Sequence, residues 1–266
     1  MKKIIAAAMA MTLMCAGCAV PTYEPVNYGS YDELSTEAVN WGFVRCQNSE
    51  PDVLQSDVQM LEAYDGYYLD EERPKALYLT FDEGYENGYT AKILDVLQAS
   101  QTPAAFFVTG PYLENQPELI DRMIREGHIV GNHTINHINM PSVSADEVIS
   151  ELDGLKKICM EKYGYEMKYI RPPEGSFSEK SLAVSRDLGY KTVLWSFAYK
   201  DWDINAQQGA QYAYDNVIPY LHDGAILLLH AVSSDNAGAL EDIINYAKEQ
   251  GYEFRSLDEL GVSSQL

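Results

Sequence analysis

Short apolar segments alternate along this chain with segments that have helical periodicity. The segment "TAKILDVLQAS", for example, places Ile93, Leu94 and Leu97 on one helical face, and it lies between the apolar runs 76–81 and 104–108. Alternation of this kind favours parallel strands joined by helical crossovers. The chain is therefore predicted to form an α/β fold, either a complete or incomplete barrel or an open doubly wound sheet. Seven apolar runs fit the pattern: 76–81, 104–108, 128–132, 168–171, 191–195, 225–230 and 252–257.

Two of the predicted helices have clear start and stop signals. The helix in "SADEVISELDGLKKICMEKYG" begins after Ser144, has Glu147 three residues further on as in a capping box, and ends at Gly164. A second helix begins after Ser178 and ends at Gly189. A hydroxyl at the first position can accept a free backbone N–H, and a glycine marks the point where a helix stops. These signals support the alternation of strands and helices.

Residues that are able to do chemistry follow five of the seven predicted strands. In both folds considered, functional residues collect at the carboxyl ends of the parallel strands. The sequence therefore predicts a single site at that edge of the sheet. Its side chains are Asp82 and Glu83 after the first strand, His133 and His137 after the third, Arg171 after the fourth, Trp195 and Asp201 at and beyond the end of the fifth, and His230 at the end of the sixth.

His133 and His137, in the segment "HTINH", have the spacing of a pair of metal ligands. Residues four apart lie on one face of a single helical turn, so both imidazoles can approach one ion. The segment is not the zinc-protease motif HExxH, because Thr134 stands in place of the glutamate. A carboxylate after the first strand could supply a third ligand. The alternative is a pair of surface histidines at the start of a helix.

Five ordered motifs resemble those of the polysaccharide deacetylase family, also called the NodB-homology family or carbohydrate esterase family 4. They are "TFDEG", "HTINH", "RPPEG", the Trp195–Asp201 region and "LLLH". The longer segments "NWGF", "FDEGYENGYT", "RPPEGSFSE", "KDWDIN" and "LLHAVSSDNAGALED" are similar to the delta-lactam-biosynthetic de-N-acetylases of spore-forming bacteria. This resemblance implies a distorted (β/α)7 barrel that removes acetyl groups from peptidoglycan sugars, with N-acetylmuramic acid as the expected sugar. In that subfamily the freed amine closes a muramic delta-lactam in the spore cortex.

The resemblance also implies a role for four central side chains. Asp82 would be the general base, and His230, across the barrel mouth, would be the general acid. His133 and His137 would hold a divalent metal ion, with zinc as the expected ion, that activates a water and polarises the acetyl oxygen. Amide hydrolysis needs an activated water, a stabilised oxyanion and a proton for the departing amine, and these residues would supply them.

Supporting roles follow from the same resemblance. Arg171 would hold Asp82 in place and ionised, and Asp201 would orient His230 and pair with its charge. The alternative for Arg171 and Asp201 is a plain ion pair across a loop. The backbone amide of Tyr85 or a neighbour could donate a hydrogen bond to the oxyanion.

Four further residues are expected at the substrate-binding surface. Trp195 would either form a wall of the acetyl pocket or fill the barrel. Pro173 belongs to a loop whose shape the Pro-Pro pair fixes. Glu86 and Asn87 would line the sugar groove, although residues of an ordinary turn would look the same in sequence.

Glu83 departs from the family pattern. The broad family has aspartate here as the third metal ligand, and the lactam subfamily tends towards asparagine. Glutamate keeps the charge but moves the carboxylate by roughly 1 to 1.5 Å, while zinc–oxygen distances tolerate about 0.2 Å. We expect a sharp turn at Gly84 to bring both acids to one cavity, with Glu83 as the third ligand. The alternative is a metal held by two histidines and solvent.

The N-terminus is typical of a bacterial export signal. "MKK" precedes the apolar run "IIAAAMAMTLM", which is too short to span a membrane. Ala16-Gly17-Cys18 resembles a lipoprotein cleavage box, so Cys18 is the expected lipidated residue. The sequence thus predicts a signal peptide at 1–17, a tether at 18–39 and a deacetylase domain at 40–266. The protein would lie outside the cytoplasm, attached to the membrane only through its lipid.

Charge restricts the partners of the mature protein. The chain carries a formal charge of −21, and removing the first 17 residues, with Lys2 and Lys3 and no acids, leaves −23. A surface this acidic argues against nucleic acid and anionic membranes as partners, but it does not name a substrate. Glycan strands of peptidoglycan are the partner that the family resemblance implies. Cys46 and Cys159 either form one disulfide or remain two free thiols, and spacing does not decide between these.

Two other functions are compatible with the motifs. The first is deacetylation of another acetylated polysaccharide, such as chitin oligomers or xylan. The second is a glycan-binding lipoprotein without catalysis, in which Glu83 has spoiled the metal site. The presence of both Asp82 and His230 argues against the second, because binding alone needs neither an acid nor a base.

Overall fold

A computed structural model describes residues 30–261 of the chain. The predicted signal peptide at 1–17 and the predicted lipidation site Cys18 lie outside the described residues. Among residues 30–261, no helix is both long enough and apolar enough to cross a membrane.

Twelve strands and eight α-helices make up the described part of the chain. The strands are β1 (Val39–Asn40), β2 (Phe43–Val44), β3 (Asp52–Val53), β4 (Gly66–Tyr67), β5 (Ala76–Glu83), β6 (Ala104–Val108), β7 (Ile129–Asn132), β8 (Tyr169–Ile170), β9 (Ser176–Phe177), β10 (Lys191–Val193), β11 (Ala225–His230) and β12 (Glu253–Phe254). The helices are α1 (Gln55–Ala63), α2 (Thr90–Ser100), α3 (Gly110–Asn115), α4 (Pro117–Arg125), α5 (Ala145–Tyr163), α6 (Glu179–Asp187), α7 (Ala210–Val217) and α8 (Ser234–Glu249).

The main sheet is parallel and curled, with helices around it. Its strands run in the order β11-β5-β6-β7-β8-β10-β4, and β12 pairs beside the start of β5. Just beyond β10, a bridge between Phe197 and Leu227 joins that end of the sheet back to β11. The predicted distorted (β/α) barrel is confirmed. The edge strand β4 was not predicted, and the run at 252–257 forms only the short β12.

The interior of the barrel and its helical layer are separate apolar clusters. One cluster combines Tyr78 of β5 with residues of β6, β7, β8, β10 and β11, so it fills the space inside the curled sheet. The other combines Leu79 and Phe81 with Leu94 and Leu97 of α2, outside the sheet. Because side chains alternate along a strand, even-numbered residues of β5 face the interior and odd-numbered ones face the helices.

The capping signals in the sequence are confirmed at two helices. The hydroxyl of Ser144 accepts a hydrogen bond from the backbone of Glu147, and α5 ends at Gly164 in the left-handed conformation. Ser178 begins α6 in the same way. Helices α1, α3, α7 and α8 were not predicted. Of these, α8 is the longest, and Ser233 caps its start.

Part of the segment predicted as a tether packs against the domain. Tyr31 is 9% exposed, and its hydroxyl donates to Asp187 at 3.2 Å. Further along, β1 pairs with β9 in an antiparallel ladder. The packed region therefore begins before residue 40, the predicted start of the domain. Cys46 and Cys159 are both free thiols in this arrangement.

Candidate active site

A cleft of about 540 Å³ opens at the carboxyl ends of the barrel strands. This is the edge at which the sequence predicted the site. The cleft brings together polar residues from four strand ends and a wall of aromatic residues. Its lining residues are Asp82, His133, His137, Glu174, Trp195, Ala198, Tyr199, Trp202, Leu228 and His230.

Asp82 is held by a fully buried arginine. The Nη1 of Arg171 donates to Oδ1 of Asp82 at 2.8 Å, and its Nε and Nη2 donate to the carbonyls of Val193 and Leu194. Burial alone would raise the pKa of Asp82, but the charge of Arg171, with smaller contributions from His133 and His230, brings it below its ordinary value. Asp82 is therefore an ionised carboxylate at neutral pH, which is the form that a general base needs.

His133 is presented to the cleft as a neutral imidazole. Its Nδ1 donates to the carbonyl of Arg171 at 2.8 Å, which leaves the lone pair on Nε2, 3.7 Å from Oδ2 of Asp82. Burial and the neighbouring His137 lower the pKa of His133 to about 4, although Asp82 opposes them. A neutral ring whose second nitrogen is fixed by a carbonyl is the usual form of a metal-ligating histidine.

His137 lies close to His133, but not on the predicted helical turn. The two rings have centroids 4.9 Å apart at an interplanar angle of 73°. The segment is a loop in which Thr134 and His137 adopt left-handed backbone angles, with φ of 63° and 53°. The amide of Thr134 donates to Oδ1 of Asn132 at 2.8 Å, and this contact stabilises the bend. The pairing of the histidines thus comes from a folded loop and not from helical periodicity.

The structure does not bring Glu83 to the two histidines. Strand β5 continues through Glu83 and the chain bends only at Gly84–Tyr85, so both acids lie on the strand and point to opposite sides. As an odd-numbered residue, Glu83 faces the helical layer, where Thr90 and Glu86 are its polar neighbours. It is fully buried, and neither carboxylate oxygen has a hydrogen-bond partner among residues 30–261. The prediction that Glu83 is the third metal ligand therefore does not agree with this arrangement.

The donor atoms of the cleft fit a divalent metal only in part. Two imidazoles converge, and the Nε2 of His133 is free to ligate. Among residues 30–261, however, no group of three or more His, Cys, Asp or Glu side chains is placed to hold a metal ion. A site of two histidines, completed by solvent or substrate, is what these side chains offer.

His230 forms a second charge pair in the cleft. Its Nδ1 lies 2.7 Å from Oδ1 of Asp201, and its backbone amide donates to Oδ2 of the same carboxylate at 2.8 Å. Asn236 also donates to this carboxylate. Burial alone would lower the pKa of His230, but the hydrogen bond and charge of Asp201, helped by Asp82, raise it above its ordinary value. His230 is thus suited to carry a proton at neutral pH.

Asp82 and His230 lie side by side and not on opposite sides of the mouth. They are register partners on the adjacent parallel strands β5 and β11. The prediction that His230 lies across the barrel mouth was wrong, because order along the chain does not give order in the sheet. Asp82 and His230 nevertheless lie close to each other in one cleft, as a base and an acid that act on the same substrate must.

Aromatic side chains form the remaining walls of the cleft. Trp195 lines it as predicted and lies with its ring 5.5 Å from the guanidinium of Arg171. Trp202 and Tyr199 also line it, and Trp202 is 54% exposed. An exposed tryptophan beside a polar cleft offers a flat apolar surface to a sugar ring.

The other predicted substrate residues are not among those that line the cleft. Glu86 accepts hydrogen bonds from the backbone of Gly88 and from Thr90 at the start of α2, so it acts as a turn and cap residue. Asn87 donates to the carbonyl of Val232 at 2.9 Å. Tyr85 is about half exposed. Pro173 is buried in a short 3-10 turn, Pro173–Gly175, where it shapes the loop.

Several residues of the site were not predicted from the sequence. Glu174 lies in the quoted motif "RPPEG", and Trp202 lies in "KDWDIN", next to Asp201. For both residues, the available signal was that they share a motif with an expected site residue. Asn236, which donates to Asp201, lies in the first turn of the unpredicted helix α8, and its only signal was its place in the quoted segment "LLHAVSSDNAGALED".

Comparison with known proteins agrees with this geometry. The family model for polysaccharide deacetylase matches residues 70–193. The chain is 45% identical over 252 residues to the peptidoglycan-N-acetylmuramic acid deacetylase PdaA of Bacillus subtilis, which covers 94% of this chain and 96% of PdaA. It is 49% identical over 229 residues to an uncharacterized 30.6 kDa protein of Geobacillus stearothermophilus, covering 85% and 86% of the two chains.

The solved structure of Bacillus subtilis PdaA, a family 4 carbohydrate esterase, matches with a TM-score of 0.83 at 47% identity. The match covers 85% of this chain and 98% of that structure. Family model, relatives and fold all agree. The chain therefore belongs to the polysaccharide deacetylase family of hydrolases, the family 4 carbohydrate esterases.

Proposed function

We propose that this protein removes N-acetyl groups from the amino sugars of peptidoglycan, with N-acetylmuramic acid as its substrate. The observation that carries the proposal is the adjacency of Asp82 and His230 in opposite charge states at one cleft. Hydrolysis of an amide requires a base that activates the water and an acid that protonates the departing nitrogen. A glycan-binding site has no need of this arrangement.

The chemical step follows from these two groups. Ionised Asp82 takes a proton from a water as the water oxygen forms a bond to the acetyl carbonyl carbon. His230 then gives its proton to the amide nitrogen, and the carbon–nitrogen bond breaks. The products are acetate and the free sugar amine. Arg171 keeps Asp82 ionised, and Asp201 keeps His230 charged, so each group enters the reaction in the required form.

His133 and His137 are the residues that would hold a divalent metal ion, with zinc as the expected ion. Such an ion supplies Lewis acidity, which lowers the pKa of a water and polarises a carbonyl oxygen. The chain's own contribution is to keep His133 neutral and to orient its ring through the carbonyl of Arg171.

The walls of the cleft suit a pyranose ring. Trp195, Trp202 and Tyr199 surround the acid and base with flat apolar surfaces that can cover the apolar faces of sugars. The choice of N-acetylmuramic acid rests on the similarity to PdaA, whose name specifies that sugar. In the proposed reaction the freed amine would be available to close on the lactyl carboxylate, giving the muramic delta-lactam of spore cortex.

The same proposal includes a location. We infer that the protein is exported, with a signal at residues 1–17 and a lipid on Cys18, because peptidoglycan lies outside the cytoplasm. Metabolic labelling with a radioactive fatty acid would test the anchor. A Cys18→Ala variant that still incorporates label would contradict it.

The reaction is tested by incubating the purified protein with peptidoglycan and measuring muropeptides by tandem mass spectrometry. We expect the mass loss of one acetyl group on muramic acid, together with release of acetate. Substrates with and without the peptide stem, and chitin oligomers, would be compared under the same conditions. Loss of acetyl from N-acetylglucosamine alone, or from chitin oligomers alone, would replace the proposed sugar. No acetate from any of them would overturn the proposed activity.

A further inference from the structure

Two segments that line the cleft meet each other with little free space. The turn Pro173–Gly175 carries Glu174 into the cleft, and Trp195 forms the adjoining wall. A Cβ atom added at Gly175 would lie 2.8 Å from the Trp195 ring and 3.2 Å from the Cβ of Trp41. Contacts this short need a glycine, so three separate parts of the chain come together at this point.

Trp41 connects these two segments by hydrogen bonds. Its backbone amide donates to the carbonyl of Gly175 at 3.0 Å. Its indole Nε1 donates to the carbonyl of Trp195 at 2.9 Å. Trp41 itself is only 7% exposed, and its ring packs against Tyr68 with centroids 5.2 Å apart. One residue, more than a hundred positions away in sequence, therefore contacts both segments, the turn through its backbone amide and the wall through its indole N–H.

The surrounding backbone strengthens this connection. Just before Trp41, strand β1 pairs with β9, so Val39 lies opposite Phe177 and Asn40 opposite Ser176. The turn between β8 and β9 is thus held from one side by β1. It also contains Glu174 in the left-handed conformation, with φ of 58°, which is unfavourable for a residue other than glycine. Such a conformation persists only where its surroundings determine it.

We propose that Trp41 is a positioning residue for glycan binding in this deacetylase. It sets the separation between Trp195 and the Pro173–Gly175 turn, and so the width of the cleft between them. It does not touch Asp82 or His230, so its removal affects substrate binding and leaves the acid and base as they are. The proposal rests on the proposed deacetylase function, because it concerns the same cleft.

The alternative is that Trp41 only anchors the N-terminal segment through apolar packing. Trp41 belongs to an apolar cluster with Val58 of α1, among others. Val58 is 5% exposed and does not line the cleft, so Val58→Ala is a matched control for lost packing. A Trp41→Phe variant keeps an aromatic ring but removes the indole N–H. Trp41→benzothienylalanine keeps the size of the indole as well and replaces only the N–H by sulfur.

The test compares these variants in the full protein, using a stem-free tetrasaccharide of alternating N-acetylglucosamine and N-acetylmuramic acid. We expect both Trp41 variants to raise KM by about five- to tenfold, the effect of one lost hydrogen bond, with kcat and the pH profile nearly unchanged. Val58→Ala is expected to lower Tm without changing KM. An unchanged KM in Trp41→benzothienylalanine, or an equal rise in Val58→Ala, would overturn the proposal.

A binding measurement separates this inference from the proposed function. Calorimetry with the same tetrasaccharide in an Asp82→Asn background measures the binding affinity of the cleft without turnover. If the wild-type protein releases no acetate but Trp41→Phe weakens this binding, the proposed activity fails and the role of Trp41 stands. If acetate is released and binding is unaffected, the role of Trp41 fails alone.

Discussion

Asp82 and Glu83 are adjacent carboxylates with opposite surroundings on the two sides of one strand. Asp82 faces the barrel interior, where a buried arginine lies 2.8 Å away. Glu83 faces the helical layer, where neither of its oxygens has a hydrogen-bond partner within the part of the chain that the structure describes. Alternation along β5 is sufficient to separate them. The comparison teaches that neighbouring acids in sequence can belong to two different environments, one built for a charge and one that disfavours it.

The pKa of each carboxyl group reflects its side of the strand. The charge of Arg171 overcomes burial and holds the pKa of Asp82 below its ordinary value. On the other side, burial, Glu86 and Asp82 raise the pKa of Glu83 well above its ordinary value. A buried carboxyl without a partner avoids the cost of desolvation by staying protonated. Asp82 is therefore suited to act as a base, whereas the surroundings of Glu83 favour its protonated form.

The largest effect is expected from Asp82→Asn. Asparagine has nearly the same shape but cannot take a proton from water, so kcat should fall by about a thousandfold. Acetate release from peptidoglycan is the measurement. Glu83→Gln, the same chemical change one residue later, is the matched control. Equal losses in the two variants would remove the distinction between the two sides of β5.

His137→Ala tests whether a metal ion binds on the barrel-interior side of β5, where Asp82 lies. We expect bound metal and activity to be lost together, with kcat lower by about a hundredfold, because one of two imidazole ligands is missing. Metal content would be measured by plasma mass spectrometry after exhaustive buffer exchange. His230→Ala is the comparison, since it should lose most activity and keep its metal. Loss of metal in the His230 variant would show that the roles are assigned wrongly.

Asp201→Asn should shift the pH dependence. A general acid must be protonated, so activity falls as pH rises through the pKa of His230, which Asp201 raises. Without the carboxylate the pKa of His230 falls, because burial is then less opposed, and the alkaline limb of kcat/KM should move to lower pH. An alkaline limb at the same pH in both proteins would exclude His230 as the titrating acid.

The smallest effect on activity is expected from Glu83→Gln. Because Glu83 is not placed with the histidines, metal affinity and kcat should change by less than about threefold. If Glu83 were a ligand, as the family position suggests, metal affinity would fall at least about tenfold, or 1.4 kcal/mol. Chelator competition distinguishes these outcomes.

Glu83→Gln should also change how the free energy of unfolding depends on pH. A folded-state pKa raised above the unfolded value means that the stabilising contribution is complete below about pH 4.3 and is lost as pH rises towards the folded pKa. The free energy of unfolding of the wild type should therefore fall more steeply between pH 4 and pH 7 than that of Glu83→Gln. Parallel pH profiles from urea unfolding would show that Glu83 is solvated or paired.

Sequence reasoning located the site better than it described the geometry. The main barrel strands and the order of the motifs were predictable, because apolar runs and family motifs are local signals. The adjacency of Asp82 on β5 and His230 on β11 was not predictable, because the pairing of strands is determined by the whole topology. The direction of Glu83 was missed because the strand continues two residues beyond the apolar run that marked it. The left-handed loop around Thr134 likewise has no sequence signature that we recognised.

The pairing of Asp82 with His230 has a consequence for how such an enzyme can change. Their separation is determined by a six-residue ladder between β5 and β11, deep in the barrel, and not by the connecting segments. Insertions, deletions or exchanges in the segments that frame the cleft can therefore alter which glycan is admitted while the proton-transfer distance is preserved. The spacing of the acid and base and the choice of substrate therefore depend on different parts of the chain. Grafting the rim of one relative onto the barrel of another is thus a rational route to new specificity.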